Sequence, residues 1–283
     1  MRWPVRRAVA LGAAVGLLAG CSTSDDAGGA GDAGGGGPAP AGTVEYRPGM
    51  TASTSLPDGA PQGVVVLVPG GGWSSADPSG LVPLSQDLVD GGLAVVTITY
   101  GTAGTGDRFP VPVDDVRCAV RVAADQVPGV PVVVVGHSAG AHLASLAGLV
   151  PQASAQGRET CEVPEAQADG VVGLAGPYDV AATGGLAQDL FGTAQAQDAE
   201  RWREGNPLAQ AAERPGLPFL LVHGDADTVV PMSFTDAFAD ELVAGGHDVT
   251  VERLAGVDHA DVYLPDVVGP LILEWVGSAV GQG

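Results

Sequence analysis

A buried strand that enters a helix through a Gly-x-Ser-x-Gly turn is the most constraining feature of this sequence. Pro131 to Val135 is a continuous β-branched run, and Ala139 to Leu149 has the composition of a helix. Gly136 and Gly140 flank Ser138 in a turn so sharp that a Cβ at either glycine would collide with the neighbouring strand or helix. Such a turn lifts the serine hydroxyl above the sheet, at a helix N-terminus. The pattern therefore predicts that Ser138 is a catalytic nucleophile.

Short apolar runs alternate with helix-like segments along the rest of the chain. Such continuous runs are typical of strands that are covered on both faces. The predicted strands are Val64–Val68, Ala94–Thr99, Pro131–Val135, Leu217–Val222 and, with weaker patterns, Val171–Leu174 and Val249–Leu254. The predicted helices are Leu81–Leu88, Val113–Ala124, Ala139–Leu149, Phe234–Leu242 and Asp266–Val280. This order predicts an α/β fold, with a mostly parallel sheet and helices on both faces, over residues 43–283. Residues 181–215 interrupt the rhythm, and we expect a short helical insertion over the site.

The N-terminus has the pattern of a lipoprotein export signal. Three arginines precede a short apolar stretch, and Leu18-Ala19-Gly20-Cys21 resembles the bacterial lipobox. We expect residues 1–20 to be a signal peptide and Cys21 to be acylated, which would anchor the protein to the outer face of the bacterial cell membrane. The alternative is an ordinary signal with a fortuitous cysteine. Residues 22–42 contain no large apolar side chain, so we expect a disordered tether.

The large negative net charge of the chain argues against partners that are themselves anionic. The formal net charge is -21, and a surface this acidic repels phosphate backbones, so no nucleic-acid partner is expected. The sequence shows no metal-ligand cluster and no phosphate-binding loop, so no cofactor and no metal are expected.

Two cysteines remain once Cys21 is set aside. Cys118 and Cys161 lie 43 positions apart, and in an exported protein they are expected to form a disulfide. The helix before the nucleophile strand and the helix after it should pack side by side in this fold, which makes the bridge sterically reasonable. Two buried free thiols are the alternative.

A glycine run supplies the expected oxyanion hole. Val64–Val68 leads into Pro69-Gly70-Gly71-Gly72-Trp73, whose amides can turn toward a ligand without steric cost. Its place before the nucleophile is where an oxyanion loop is expected. We assign the hole to the amide of Gly71 or Gly72 together with that of Ala139.

The base and the acid of a serine triad should follow in chain order. His259 precedes the last predicted helix and is assigned as the base, since His137 and His142 flank the nucleophile and His247 is expected to be exposed in a turn. Asp225 and Asp227 both follow the strand that ends at Val222, and both remain candidates for the acid. Asp258 is less suited, because side chains of adjacent residues diverge.

These motifs together resemble the α/β-hydrolase superfamily. The similarity covers roughly residues 60–280 and is greatest to the esterase/lipase branch with hormone-sensitive-lipase-like, kynurenine-formamidase-like and feruloyl-esterase-like proteins. The nucleophile turn of that branch is similar to Gly136-His-Ser-Ala-Gly-Ala-His-Leu-Ala144 of this sequence. Two other segments of the branch are similar to Phe109–Val116 and Gly173–Asp179. The resemblance implies that Asp227 is the acid, from the pattern His-Gly-x-x-Asp-x-x-Val-Pro. It also shows one departure, because Pro69 replaces the histidine that braces the oxyanion loop.

The function expected from these features is hydrolysis of carboxylic esters with small to medium acyl or aryl groups. Ser138, His259 and Asp227 would act through an acyl-enzyme, without a cofactor, on a small-molecule ester. A serine peptidase or amidase of the same fold, or a catalytically silent binding lipoprotein, are the alternatives.

Overall fold

The structure is a computed structural model that describes residues 42–152 and 161–280. The predicted lipobox, Cys21 and the tether up to residue 41 lie outside the described residues. Eight strands form one sheet in the order β1-β2-β4-β3-β5-β6-β7-β8, and every pair from β4 to β8 along this order is parallel. The strands are β1 Thr43–Arg47, β2 Met50–Ser55, β3 Val64–Val68, β4 Ala94–Ile98, β5 Val132–His137, β6 Gly170–Leu174, β7 Phe219–Gly224 and β8 Val249–Leu254.

Helices cover both faces of the sheet, as the sequence predicts. The α-helices are α1 Val82–Asp90, α2 Val111–Gln126, α3 Ala139–Leu149, α4 Gln188–Phe191, α5 Ala199–Glu204, α6 Ser233–Ala244 and α7 Pro265–Trp275. Successive residues of a strand point to opposite faces. Val64, Val66 and Val68 accordingly pack in one apolar core with α2, α3 and α6, whereas Val65 and Leu67 pack in a second core with α1 and α7. The fold is a doubly covered α/β sheet.

Parallel pairing brings the ends of distant segments to one edge. The carboxyl ends of β3, β5, β7 and β8 carry the glycine run, Ser138, the two candidate aspartates and His259 respectively. Ligands bind outside the carboxyl ends of the strands in open sheets of this kind. This edge is therefore the place where the predicted site residues can meet.

The sheet has two strands that the sequence did not reveal. β1 and β2 form an antiparallel hairpin, and β2 continues the sheet by pairing antiparallel with β4. β2 is rich in threonine and serine, β1 contains a glutamate and an arginine, and both strands are partly exposed, so they lack the apolar run that marks the central strands. An edge hairpin needs only one covered face, which explains its polar composition.

Residues 181–215 contain the expected helical insertion. Short helices α4 and α5 and several 3₁₀ turns replace the strand-helix rhythm. Trp202 stacks on Phe191 at a ring-centroid distance of 4.3 Å, and both side chains are buried. The insertion thus has a small apolar centre of its own.

The expectation that His247 is exposed is wrong. Its side chain is 7% exposed, and its two ring nitrogens each lie 3.0 Å from a carbonyl oxygen, of Leu217 and of Ala211. The residues around it are those of a polar turn, but the loop that ends the insertion folds over the ring. No pattern in the sequence predicts that this loop buries His247.

Cys118 and Cys161 form a disulfide, as expected, with their Cα atoms 5.6 Å apart. Cys118 is on α2, and Cys161 follows α3 after a segment outside the described residues. Among the described residues, no helix has the length and apolar character needed to cross a membrane.

Candidate active site

The turn between β5 and α3 holds Ser138 in an unusual backbone conformation. Its φ is 53° and its ψ is −121°, which non-glycine residues rarely adopt. A Cβ at Gly136 would collide with the backbone of Gly140, and one at Gly140 would collide with the Val68 carbonyl. Both glycines are therefore required by close backbone approach, and the strained turn presents the Ser138 hydroxyl at the edge of the sheet.

Ser138, His259 and Asp227 are joined by two hydrogen bonds. The Ser138 Oγ lies 2.9 Å from His259 Nε2, and His259 Nδ1 lies 2.7 Å from Asp227 Oδ2. A carboxylate only accepts, so the Nδ1–H of His259 donates to Asp227 and Nε2 is left to take the serine proton. This is the arrangement that a serine nucleophile and its base require.

The Asp227 carboxylate is held at four points. Its Oδ1 accepts the backbone amides of Val229 and Val230, each at 2.8 Å, and its Oδ2 receives His259. Burial raises its pKa, but the hydrogen bonds from His259 and the two amides together outweigh burial and hold the pKa of Asp227 below its ordinary value. The side chain therefore remains an ionised acceptor for the imidazole at neutral pH.

His223 makes the fourth contact, and the sequence alone predicts no role for it. Its Nε2 lies 3.2 Å from Asp227 Oδ2 and 2.9 Å from the Val230 carbonyl, while Nδ1 lies 2.7 Å from Thr235 Oγ1. Burial lowers the pKa of His223, so the ring is neutral and its Nε2–H faces both oxygens. The signal that could have revealed it is its place four residues before Asp227, at the end of β7.

The two other candidate aspartates are occupied elsewhere. Asp225 Oδ1 accepts the Gly256 amide at 2.6 Å, and Asp258 Oδ1 accepts the amides of Ala260 and Asp261 at 2.8 and 3.0 Å. Within the described part of the chain neither carboxylate bonds to the His259 ring. The geometry thus selects Asp227 among the three.

His137 contacts both the backbone and the ring of His259. Its Nε2 lies 2.9 Å from the backbone oxygen of His259, and its ring packs against the rings of His259 and Tyr263 at 4.8 and 4.6 Å. Burial, followed by the neighbouring His259, lowers the pKa of His137 to about 4. The neutral ring therefore donates Nε2–H to the backbone that carries the base.

The glycine run lies beside Ser138, and Gly70, Gly71 and Gly72 line a cavity together with that serine. The Gly71 carbonyl accepts the amides of Ser74 and Ser75 at 3.1 Å each. Because the C=O and the following N–H of a trans peptide point in opposite directions, the Gly72 N–H is directed away from that turn. Gly71 and Gly72 have φ values of 131° and 57°, which only glycine adopts readily.

Groups from other segments bond to this loop, in which proline stands where the family resemblance leads one to expect a histidine. The Tyr100 hydroxyl donates to the Pro69 carbonyl at 2.8 Å, and the Ala103 amide donates to the Trp73 carbonyl at 2.8 Å. The Trp73 Nε1–H donates to His142 Nδ1 at 3.2 Å. The loop is therefore fixed at both ends despite the proline.

His142 connects the loop with the insertion. Since its Nδ1 accepts from Trp73, its Nε2 carries the proton and donates to the Gly205 carbonyl at 2.8 Å. Burial lowers the pKa of His142 to about 4, so the ring is neutral at physiological pH. Three parts of the site, namely the glycine loop, helix α3 and the insertion, meet at this one side chain.

Two cavities open on Ser138. The Trp73 cavity, of about 410 Å³, is lined by Trp73, Ala139, Ala182, Leu186 and Phe234 among others. The Tyr263 cavity, of about 400 Å³, is lined by the glycine loop, Asp77, Gly80, His259 and Tyr263 among others. The described residues include no group of three or more His, Cys, Asp or Glu side chains placed to hold a metal ion.

The chain is similar in sequence to a protein family and to several curated proteins. The BD-FAE family model matches residues 55–242. Esterase LipC of Mycobacterium tuberculosis is 30% identical over 200 residues, which cover 65% of this chain and 49% of that protein. Probable isoprenylcysteine alpha-carbonyl methylesterase ICMEL1 of Arabidopsis thaliana is 26% identical over 227 residues. The aligned region covers 73% of this chain and 47% of that protein. The chain thus spans about half the length of these curated relatives.

Solved structures show the same fold. A bifunctional GH43-CE protein of Bacteroides eggerthii superposes with a TM-score of 0.68 at 25% identity, over 82% of this chain and 36% of that one. The thermophilic esterase Est2 of Thermogutta terrifontis superposes with a TM-score of 0.67 at 20% identity, over 84% and 92% of the two chains.

The sheet order and the strand-turn-helix around Ser138 define an α/β-hydrolase fold. Within that class, the chain belongs to the BD-FAE family, whose model covers most of it.

Proposed function

We propose that this protein is a serine hydrolase that cleaves carboxylic esters with small to medium acyl or aryl groups. The observation that carries the proposal is the hydrogen-bonded chain from Ser138 Oγ through His259 to Asp227, at 2.9 and 2.7 Å. The arrangement lies where two cavities meet, and Gly71, Gly72 and Ala139, whose amides we assign to the oxyanion hole, line one or both of these cavities. In this proposal Ser138 is the nucleophile, His259 the base and Asp227 the residue that orients the base.

The mechanism follows from these contacts. His259 Nε2 takes the proton as Ser138 Oγ attacks the ester carbonyl, and Asp227 stabilises the imidazolium that forms. The negative charge that develops on the carbonyl oxygen is received by the amides of Ala139 and of Gly71 or Gly72. His259 then gives its proton to the leaving alcohol, and a water that it activates releases the acyl group from Ser138.

Names of related proteins support the reaction class. LipC is named an esterase, LipM of the same organism a probable carboxylic ester hydrolase, and Est2 a thermophilic esterase. Est2 has also been solved in a form phosphonylated by sarin. Organophosphorus compounds react with activated serines, which is the chemistry proposed here for Ser138.

The test compares an ester with an amide of the same acyl group. The full chain should hydrolyse p-nitrophenyl butyrate and leave butyryl p-nitroanilide nearly untouched, and a Ser138→Ala variant should lose the ester activity. Faster cleavage of the anilide would favour an amidase or peptidase. No turnover of either compound by the folded protein would favour a silent binding protein.

We also propose that the protein is exported and anchored through an acylated Cys21. The support is the sequence Leu18-Ala19-Gly20-Cys21 after a basic and then apolar segment. Metabolic labelling with palmitate in a bacterial host should mark the wild type, whereas Cys21→Ser should lose the label and appear in the medium. Equal labelling of both forms would refute the anchor and would leave the proposed chemistry unaffected.

A further inference from the structure

A second buried histidine lies beside the acid of the triad. His223 is near the carboxyl end of β7, four residues before Asp227, and its side chain is completely buried. Its Nε2 lies 2.9 Å from the Val230 carbonyl oxygen and 3.2 Å from Asp227 Oδ2. The proposed mechanism uses Asp227 but gives this histidine no part.

The neighbours of the His223 ring decide which nitrogen carries its proton. Neither a carboxylate nor a backbone carbonyl can donate a hydrogen bond, so the proton is on Nε2, which faces both. Nδ1 then accepts from the hydroxyl of Thr235, at 2.7 Å. Thr235 is on α6 and is also buried. The ring is therefore held at both nitrogens, and it cannot turn without leaving buried polar atoms unpaired.

The two oxygens of the Asp227 carboxylate are held by different groups. Oδ1 accepts two backbone amides, of Val229 and Val230, whereas Oδ2 is contacted by His259 and by His223. His259 is the base that has to be oriented, so it cannot itself fix the position of Oδ2. His223 can, and its Nε2–H also donates to the Val230 carbonyl of the loop that holds Oδ1.

We propose that His223 is a positioning residue, whose Nε2–H holds the Asp227 carboxylate and its loop where Oδ2 accepts from the base. This inference rests on the proposed function and adds a residue to the site that performs it. A group that is already in place costs no reorganisation during the reaction. A small displacement of the carboxylate would lengthen the 2.7 Å bond to His259 and weaken its stabilisation of the imidazolium.

The kinetic test removes the donor and then restores it. His223→Leu should lower kcat for p-nitrophenyl butyrate by at least about tenfold and change KM by less than about twofold, because the bound ester keeps its own contacts. His223→Gln should recover most of the loss, since its amide can place an N–H near the position of Nε2. Equal losses in the two variants would contradict a role as a donor.

His247→Leu is the matched control for the loss of a buried histidine. Its ring nitrogens also lie near backbone carbonyl oxygens, at 3.0 Å, and one of these belongs to Leu217, which precedes β7. His247 is therefore at the opposite end of that strand from His223. The control should unfold at lower urea concentration but keep kcat within about twofold of the wild type. An equal fall in kcat in both leucine variants would give His223 a merely structural role.

A double variant tests whether His223 acts through Asp227. Residues that act as a unit do not have additive effects. Adding His223→Leu to Asp227→Asn should therefore lower kcat by less than about a further twofold. A further loss as large as that of His223→Leu alone would show that His223 acts independently of the acid, which would overturn the inference.

A spectrum of the full chain tests the same contact without turnover. The Nδ1 proton of His259, shared with a carboxylate at 2.7 Å, should resonate downfield of the amides in the proton NMR spectrum, and its loss in Asp227→Asn identifies it. The resonance should weaken or vanish in His223→Leu and return in His223→Gln. An unchanged resonance in His223→Leu would overturn the inference. A wild type that hydrolyses no ester would refute the proposed function, and the spectrum would still decide whether His223 holds the acid.

Discussion

Asp227 bonds to His259 across 32 positions of sequence, with its Oδ2 2.7 Å from Nδ1, while its Oδ1 is held by two backbone amides of its own loop. The same short loop thus fixes the acid and, through Val229, contributes to the junction of the two cavities. A substitution at Asp227 that keeps the shape of the side chain tests the role of the negative charge while the position of the side chain is unchanged.

Replacing Asp227 by asparagine should lower kcat by at least about a hundredfold, because an amide can donate to Nδ1 and so favour the wrong imidazole tautomer. Asp225→Asn and Asp258→Asn should each stay within about tenfold of the wild type, since their carboxylates accept backbone amides and, among the described residues, do not bond to the His259 ring. Steady-state kinetics on p-nitrophenyl butyrate measures the effect, and circular dichroism checks the fold. An inactive Asp225→Asn beside an active Asp227→Asn would show that the acid is misassigned.

Tyr100→Phe should reveal the brace on the oxyanion loop. The change removes the hydroxyl that donates to the Pro69 carbonyl and leaves that buried oxygen without its donor. We expect kcat to fall by about three- to tenfold, the equivalent of one hydrogen bond, with KM nearly constant. Tyr46→Phe is the matched control, because the Tyr46 hydroxyl donates to the Thr99 carbonyl. Equal losses in the two variants would indicate general destabilisation instead.

The buried His142 should make the fold sensitive to acid. Burial lowers its pKa to about 4 from 6.5, so between these values the unfolded chain binds a proton that the folded chain does not. The stability due to the neutral ring is therefore complete above about pH 6.5 and is lost as the pH falls toward 4. From pH 7 to pH 5 the wild type should lose about 2 kcal/mol more free energy of unfolding than His142→Gln does.

Urea denaturation at the two pH values measures that difference. Comparing the variant with the wild type cancels the effect of the other titrating groups, among them His137, which is also buried. If the free energy of unfolding falls equally in the two proteins from pH 7 to pH 5, the folded protein accommodates a charged imidazole at position 142.

Loss of the Cys118–Cys161 disulfide should destabilise the protein without altering its chemistry. The bridge joins positions 43 residues apart. On the chain-entropy model, closing such a loop contributes at most about 4 kcal/mol. A Cys118→Ala/Cys161→Ala variant should unfold at lower urea concentration while kcat stays near that of the wild type. Peptide mass spectrometry of the unreduced protein should show the two cysteines joined, and two alkylatable thiols would contradict the assignment.

The central part of the fold is accessible from the sequence, because a strand covered on both faces must be a continuous apolar run. β3, α3 and β8 have the predicted bounds, and the other central elements differ by a few residues at their ends. The β1-β2 hairpin was missed because it lies at an edge and is polar. The burial of His247 depends on a loop more than 30 positions away in sequence, which no local pattern reveals.

The candidate site divides in the same way. Ser138 and His259 follow from the turn pattern and chain order, whereas the choice between Asp225 and Asp227 needed the family resemblance and is made by geometry only in the folded chain. The sequence did not predict the contacts between separate segments of the chain. These are the contacts of Tyr100 with Pro69, His142 with Trp73, and His223 with Asp227. Each is a contact between separate elements that meet at the carboxyl edge of the sheet.

If Ser138 is the nucleophile, it must form a covalent adduct with an electrophile, and intact-protein mass spectrometry detects that adduct. After a short exposure to a p-nitrophenyl phosphonate, the wild type should gain the mass of one phosphonyl group, and peptide mapping should place it on Ser138. Ser138→Ala should gain none, and Asp227→Asn should be labelled much more slowly. A modification on any other residue, or an unmodified protein that still hydrolyses p-nitrophenyl butyrate at the wild-type rate, would contradict the account.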